Sequence, residues 1–200
     1  MDIGTTTVVA NLVDLANGET ASRKATYNSQ IRFGEDLMSR VSYAMMNPGG
    51  AAQMTAAVRT AISELAADVT RSAGVGPDAI LEVTLVGNPI MHHLVLGLDP
   101  VELGGAPFAL AIDRGLTVWA SEIGLALHPT ARVYVLPCIA GHVGADCAGV
   151  ILAERPDLND EVTLLVTLRV AASWRSPLTD GLNDVFFTLT RRVTTGEWLI

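Results

Sequence analysis

Cysteine is almost missing from this 200-residue chain. Cys138 and Cys147 are its only two, too few for a disulfide framework or a four-thiolate cluster. That scarcity makes a reduced, cytoplasmic setting the expectation. Positive charge is also in short supply. Thirteen Lys and Arg face 21 Asp and Glu, for a formal net charge of −8, and no basic block offsets it. Nucleic acid and anionic membrane are therefore excluded as expected partners. No basic N-terminal region precedes an apolar core, so no signal peptide is visible. Only residues 133–153 invite a membrane reading, and Pro137, His142, Asp146 and three glycines interrupt them. What is present is apolar. Half of the residues are hydrophobic, enough to bury a substantial core in one domain or in one lobe of a larger one.

The most informative stretch is Met1-Asp2-Ile3-Gly4-Thr5-Thr6-Thr7-Val8-Val9-Ala10. It reads as two short strands joined by a tight turn. Gly4 permits either a backbone conformation or a ligand approach that a Cβ would block. The hydroxyls and N–H groups of Thr5, Thr6 and Thr7 suit phosphate oxygens. Asp2, at the end of the first strand, suits a hydrated Mg²⁺. An ordinary hairpin capped by threonines is the structural alternative.

Further along, residues 8–15 and 19–28 read as strands around an Asn17-Gly18 turn. Residues 33–46 change period. Leu37, Val41 and Met45 recur every fourth residue, with Asp36 and Arg40 as an i,i+4 pair on another face. Residues 51–73 predict a longer helix with Met54, Val58, Ile62, Leu65 and Val69 as its buried stripe. Both methionine-containing stripes read as core. Residues 80–86 read as a buried strand, followed by a Gly87-Asn88-Pro89 turn and a helix over 90–96. Strand, small polar turn and helix N-terminus form a geometry that can face a ligand. His92 and His93 project about 100° apart on that helix, which disfavours a shared metal and predicts one packed and one at the surface or an interface. Residues 116–127 predict a helix after Gly115, and residues 132–136 a strand. Residues 139–149 predict a helix of small residues: Gly141, Gly144, Ala145, Ala148 and Gly149. Glycine costs about 0.8–1 kcal/mol relative to alanine inside a helix, so the run implies close approach of another backbone. Residues 161–166 read as a further strand.

Four stretches together carry a family resemblance. They are Asp2-Ile3-Gly4-Thr5-Thr6-Thr7, the run from Tyr27 to Asp36, Val86-Gly87-Asn88-Pro89-Ile90-Met91-His92-His93-Leu94, and the run from Leu136 to Asp146. The first resembles the phosphate motif of the acetate and sugar kinase, heat-shock chaperone and actin ATPase superfamily. All four resemble its branch of ATP-dependent reductive activators of corrinoid proteins. The similarity runs from Asp2 to about Val166. Beyond it, a second Asp-x-Gly-Thr turn would follow Leu164-Leu165-Val166, and Thr167-Leu168-Arg169-Val170 stands there instead.

The resemblance, with the order of predicted elements, implies an α/β fold: a ribonuclease-H-like (actin-like ATPase) lobe, a mixed five-stranded sheet with helices on both faces. Residues 1–166 would form this first lobe with a clipped first strand. Residues 167–200, with Trp174 and Trp198, would be a divergent, frameshifted or truncated tail. Asp2 carries over as catalytic and Mg²⁺-binding residue, and Gly4, Thr5, Thr6 and Thr7 as the ATP phosphate turn. Gly141 and Asp146 are further cofactor-binding candidates, and His142 is a cleft-facing one. The family implies a corrinoid protein as partner and a two-iron two-sulfur cluster in a domain outside this chain. Alternatives are a small-molecule kinase of the same fold and a non-catalytic, self-associating fragment, a homo-oligomer.

Overall fold

Three antiparallel connections and two crossovers generate the first sheet. Strand β1 (Asp2–Ile3) runs antiparallel to β2 (Thr7–Val13), which runs antiparallel to β3 (Thr20–Tyr27). Strand β4 (Glu82–Gly87) lies parallel to β1, setting Asp2 opposite Val86 and Ile3 opposite Gly87. The sheet continues through β6 (Arg132–Val135), parallel to β4, to β5 (Leu116–Trp119), antiparallel to β6. The order is β3-β2-β1-β4-β6-β5. This computed structural model describes residues 1–154, 162–169, 184–191 and 198–199. Two compact units result, Met1–Ala148 and Gly149–Ile200.

The first unit has the expected mixed sheet with one strand more than expected. The addition is β5, where the sequence suggested a helix over 116–127. Its β-branched Thr117 and Val118 favour a pleated surface, and β6 offers it an open edge. The residues after it turn, with the Glu122 carboxylate accepting the Trp119 N–H at 2.7 Å, and deliver Ile123, Leu125 and Leu127 to the core.

Strand alternation sorts the sheet into two faces. Ile3, Val8, Ala10, Val83, Leu85, Val133 and Val135 point to one. That face is covered by α2 (Gly50–Ser72), whose stripe of Met54, Val58, Ile62, Leu65 and Val69 is buried as expected, and by α3 (Pro89–Leu96). On the other face Thr84 and Tyr134 are exposed, beside an ion pair between Arg132 and Glu82. Val86 and Leu136 belong to that face too. They pack with Cys138 and with Ala145, the first residue of α4 (Ala145–Glu154).

Helix α1 (Leu37–Met46) begins four residues later than the periodicity suggested. A 3-10 helix, Ser29–Phe33, precedes it, and Asp36 caps α1 by accepting the Ser39 N–H at 2.7 Å. The expected Asp36–Arg40 pair persists only as the least of the influences that lower the Asp36 carboxyl, behind the Ser39 N–H. Asp36 is exposed, whereas Arg40 is completely buried. Met45 is 65 % exposed, so the apolar stripe of α1 reaches the core through Val41 and not through Met45. His92 and His93 are both buried within this chain, where one was expected at the surface or an interface. The small-residue helix is corrected as well. Residues 139–144 form a turn closed by pairing of Ala140 with Val143, and α4 starts only after Gly144.

The second unit is an antiparallel sheet of β7 (Val162–Arg169), β8 (Asp184–Arg191) and β9 (Trp198–Leu199), in that order. Thr167, Leu168 and Arg169 continue β7 opposite Phe186, Val185 and Asp184. Val170 and Trp174 lie outside the described residues.

Candidate functional site

The turn between β1 and β2 closes through Gly4 N–H donating to the Thr7 carbonyl at 2.9 Å. A Cβ on Gly4 would sit 2.6 Å from that same oxygen. Of the two sequence readings of this glycine, the tightness of the turn itself is therefore sufficient.

Buried donors hold each peptide carbonyl of the turn. The Asn28 side chain donates to Gly4 O at 2.8 Å, and the Asn28 backbone N–H to Thr6 O at 2.8 Å. The Arg40 guanidinium donates to Thr5 O. Asn28 also caps the 3-10 helix, its Oδ1 accepting the Gln30 N–H at 3.0 Å. Gln30 in turn donates to Met54 O at 2.9 Å and accepts from Arg40 at 3.2 Å. Asn28, Gln30 and Arg40 are all fully buried. None was a site candidate from sequence. Asn28 and Gln30 lay inside a quoted motif, and Arg40 read as surface charge.

Asn88 joins the turn from the other side. Its Oδ1 accepts the N–H groups of Ile90 and Met91, at 3.1 and 3.0 Å, capping α3. Its Nδ2 lies 3.4 Å from Thr5 Oγ1. Gly144 rests on this cap. A Cβ there would stand 2.6 Å from both Asn88 Cα and Gly87 O, and 2.7 Å from Asp146 Oδ1. Asp146 lies in the first turn of α4, accepting the Cys147 N–H at 2.8 Å. Thr5, Asn88, Gly144 and Asp146 thus form one continuous path. Gly141 has other neighbours. Its Cβ position is filled by the Phe108 backbone, and the Phe108 ring packs on His142 with centroids 4.0 Å apart.

Charge and burial decide which groups this arrangement fits. Mg²⁺ keeps most of its waters and asks the protein for one or two carboxylates beside the phosphates, and Asp2, in β1 next to the Gly4–Thr7 turn, is a carboxylate of that kind. An iron–sulfur cluster does not fit. Burial pushes the Cys138 thiol up to about 11, against the Ala145 N–H and with the Asp146 charge. Burial and Asp146 raise Cys147 as well. Neither thiol is poised to ligate. Among the described residues no group of three His, Cys, Asp or Glu stands together to hold a metal. Nor is any described helix long and apolar enough to cross a membrane.

Comparison with known proteins agrees with the fold and the family resemblance. Residues 1–158 match the family model described as the RACo middle region. The corrinoid activation enzyme RamQ of Eubacterium limosum is 33% identical over 151 residues, 76% of this chain and 26% of that protein. A solved structure, a reductive activator for corrinoid, iron-sulfur protein, superposes with a TM-score of 0.78 at 31% identity, covering 95% of this chain and 30% of its own. The chain thus spans between a quarter and a third of the length of these relatives. On this match the chain belongs to the RACo middle-region family, that of the reductive activators of corrinoid proteins.

Proposed function

We propose that this chain supplies the phosphate-binding lobe of an ATP-dependent reductive activator of corrinoid proteins. The observation that carries the reading is Asp2 beside a threonine turn whose three carbonyls are held by buried donors. In this reading the Thr5–Thr7 N–H and hydroxyl groups receive phosphate oxygens, and Asp2 orients a water of the Mg²⁺ shell. ATP, when bound, supplies the driving force for an unfavourable electron transfer that returns Co(II) corrinoid to Co(I). The electron comes from an iron–sulfur domain outside this chain. Asp146 faces the same nucleotide along the path through Asn88, and Gly141 shapes the loop that precedes it. The partner is a corrinoid protein, and the setting is the reducing cytoplasm, which suits two free cysteines. Residues 1–166 act as this lobe, with 167–200 outside it.

Calorimetry with MgATP tests the phosphate site. Asp2→Ala should weaken binding by about tenfold, the worth of one charge-assisted contact. Equal affinity in the two proteins would leave the turn a structural hairpin only. Retention of a corrinoid protein on the immobilised chain tests the partner separately.

A further inference from the structure

Among the described residues, Arg40 is the only permanently charged side chain that is fully buried. Burying a guanidinium is costly unless its N–H groups find acceptors. Here they do. Nε donates to Gly34 O at 2.9 Å, Nη1 to Gln30 Oε1 at 3.2 Å and to Met91 Sδ at 3.3 Å, and Nη2 to Thr5 O. One side chain of α1 thereby ties the 3-10 helix, α3 and the β1–β2 turn together. Packing alone would be met by an apolar residue without that dehydration cost. What an apolar residue cannot do is fix the direction of the Thr5 carbonyl.

That direction has a chemical consequence. The C=O and N–H of one peptide plane point in opposite directions. The donor on Thr5 O therefore also sets where the Thr6 N–H points. By the same geometry the Asn28 side chain on Gly4 O sets the Thr5 N–H, and the Asn28 backbone on Thr6 O sets the Thr7 N–H. We propose that Arg40 is a positioning residue of the phosphate turn: its planar fork holds Thr5 O so that the Thr6 N–H is aimed at a phosphate oxygen before the nucleotide arrives. This rests on the reading of the turn as a phosphate site. A lysine keeps the charge but has no rigid fork to span Gly34 O, Gln30 Oε1 and Thr5 O together.

The test compares the full chain with Arg40→Lys and Arg40→Met. Two quantities are read: MgATP affinity by calorimetry, and amide exchange of the segment spanning residues 1–10 against that of α2. In both variants exchange in 1–10 should quicken about tenfold or more with α2 unchanged, because a local anchor is lost and not the global fold. MgATP affinity should fall by about tenfold or more in both. Wild-type affinity and exchange in Arg40→Lys would overturn the inference and leave the phosphate reading standing. Conversely, a wild-type chain that binds no MgATP, with quickened turn exchange in the variants, would overturn the phosphate reading and support the hold of Arg40 on the turn. Should the Arg40 variants not fold, Gln30→Met removes one acceptor of the guanidinium. It should quicken exchange in 1–10 in the same direction, and unchanged exchange there would refute the role of Arg40.

Discussion

His92 is buried without a well-formed hydrogen bond to either ring nitrogen. Burial, then the neighbouring His93, lowers its pKa to about 4, and the Leu136 backbone opposes the shift only in part. His93 is lowered too, by burial. It is held as a neutral ring, with Nδ1 against Pro89 O at 2.8 Å and Nε2 accepting the Ala111 N–H at 3.0 Å. The unfolded chain takes up these protons near 6.5, and the folded chain takes up the His92 proton only near 4. Between those values the unfolded state binds more protons, so stability is full above about 6.5 and is lost as pH falls. The slope is at most about 1.4 kcal/mol per pH unit for each histidine. His92→Leu should remove one such share with little loss of stability at neutral pH, since only a poorly formed contact with the Leu136 backbone is given up. Urea midpoints of both proteins at pH 7.5 and pH 5 provide the check. An equal drop in the two would assign the acid sensitivity to other groups. The same scale shows why Arg40 was not legible in the sequence. Its acceptors lie at Thr5, Gln30, Gly34 and Met91, residues that only the folded chain brings together. Helical spacing gave Arg40 an acidic neighbour at Asp36 instead, and that carboxylate is spent on a helix cap.

Element boundaries followed local chemistry where local chemistry was strong. Helix α2 needed only its apolar stripe, and α3 only its Asn88-Pro89 start. Strand β5 was missed because four residues give too little period to separate strand from helix, and the edge of β6 decided. The glycine-rich run after Pro137 was half legible. Its close approach to another backbone is real, but it occurs at Gly144 in the turn before α4, not inside a helix. A substitution there has a definite consequence. Gly144→Leu must displace the Gly87–Asn88 backbone or the Asp146 side chain, each within 2.7 Å of the new Cβ. Overpacking of this kind costs about 1–3 kcal/mol. Denaturant unfolding should show that loss. An unmoved midpoint would mean that α4 shifts outward freely and that Gly144 does not brace the Asn88 cap.

At the scale of the whole molecule, the proposed function gives the described residues one phosphate turn, Gly4–Thr7, where phosphoryl transfer needs a clamp. Catalysis of that transfer is positioning and electrostatic stabilisation of the phosphates from more than one side. In the superfamily this chain resembles, the second turn follows a strand equivalent to Leu164-Leu165-Val166. Here that strand does not turn. Thr167, Leu168 and Arg169 stay extended and paired with β8, and they carry neither a carboxylate nor a glycine. On the proposed function, nucleotide binding through Asp2 and Thr5–Thr7 is therefore expected of this chain, while turnover is not. Missing several kcal/mol of transition-state stabilisation slows a reaction by orders of magnitude, at about 1.4 kcal/mol per factor of ten. The measurement is steady-state ATP hydrolysis by the purified chain beside a chimaera carrying a relative's second lobe after Val166. The chimaera should turn over far faster. Equal rates in the two would refute the need for a second phosphate turn, and would assign phosphate-clamping residues to positions 167–200.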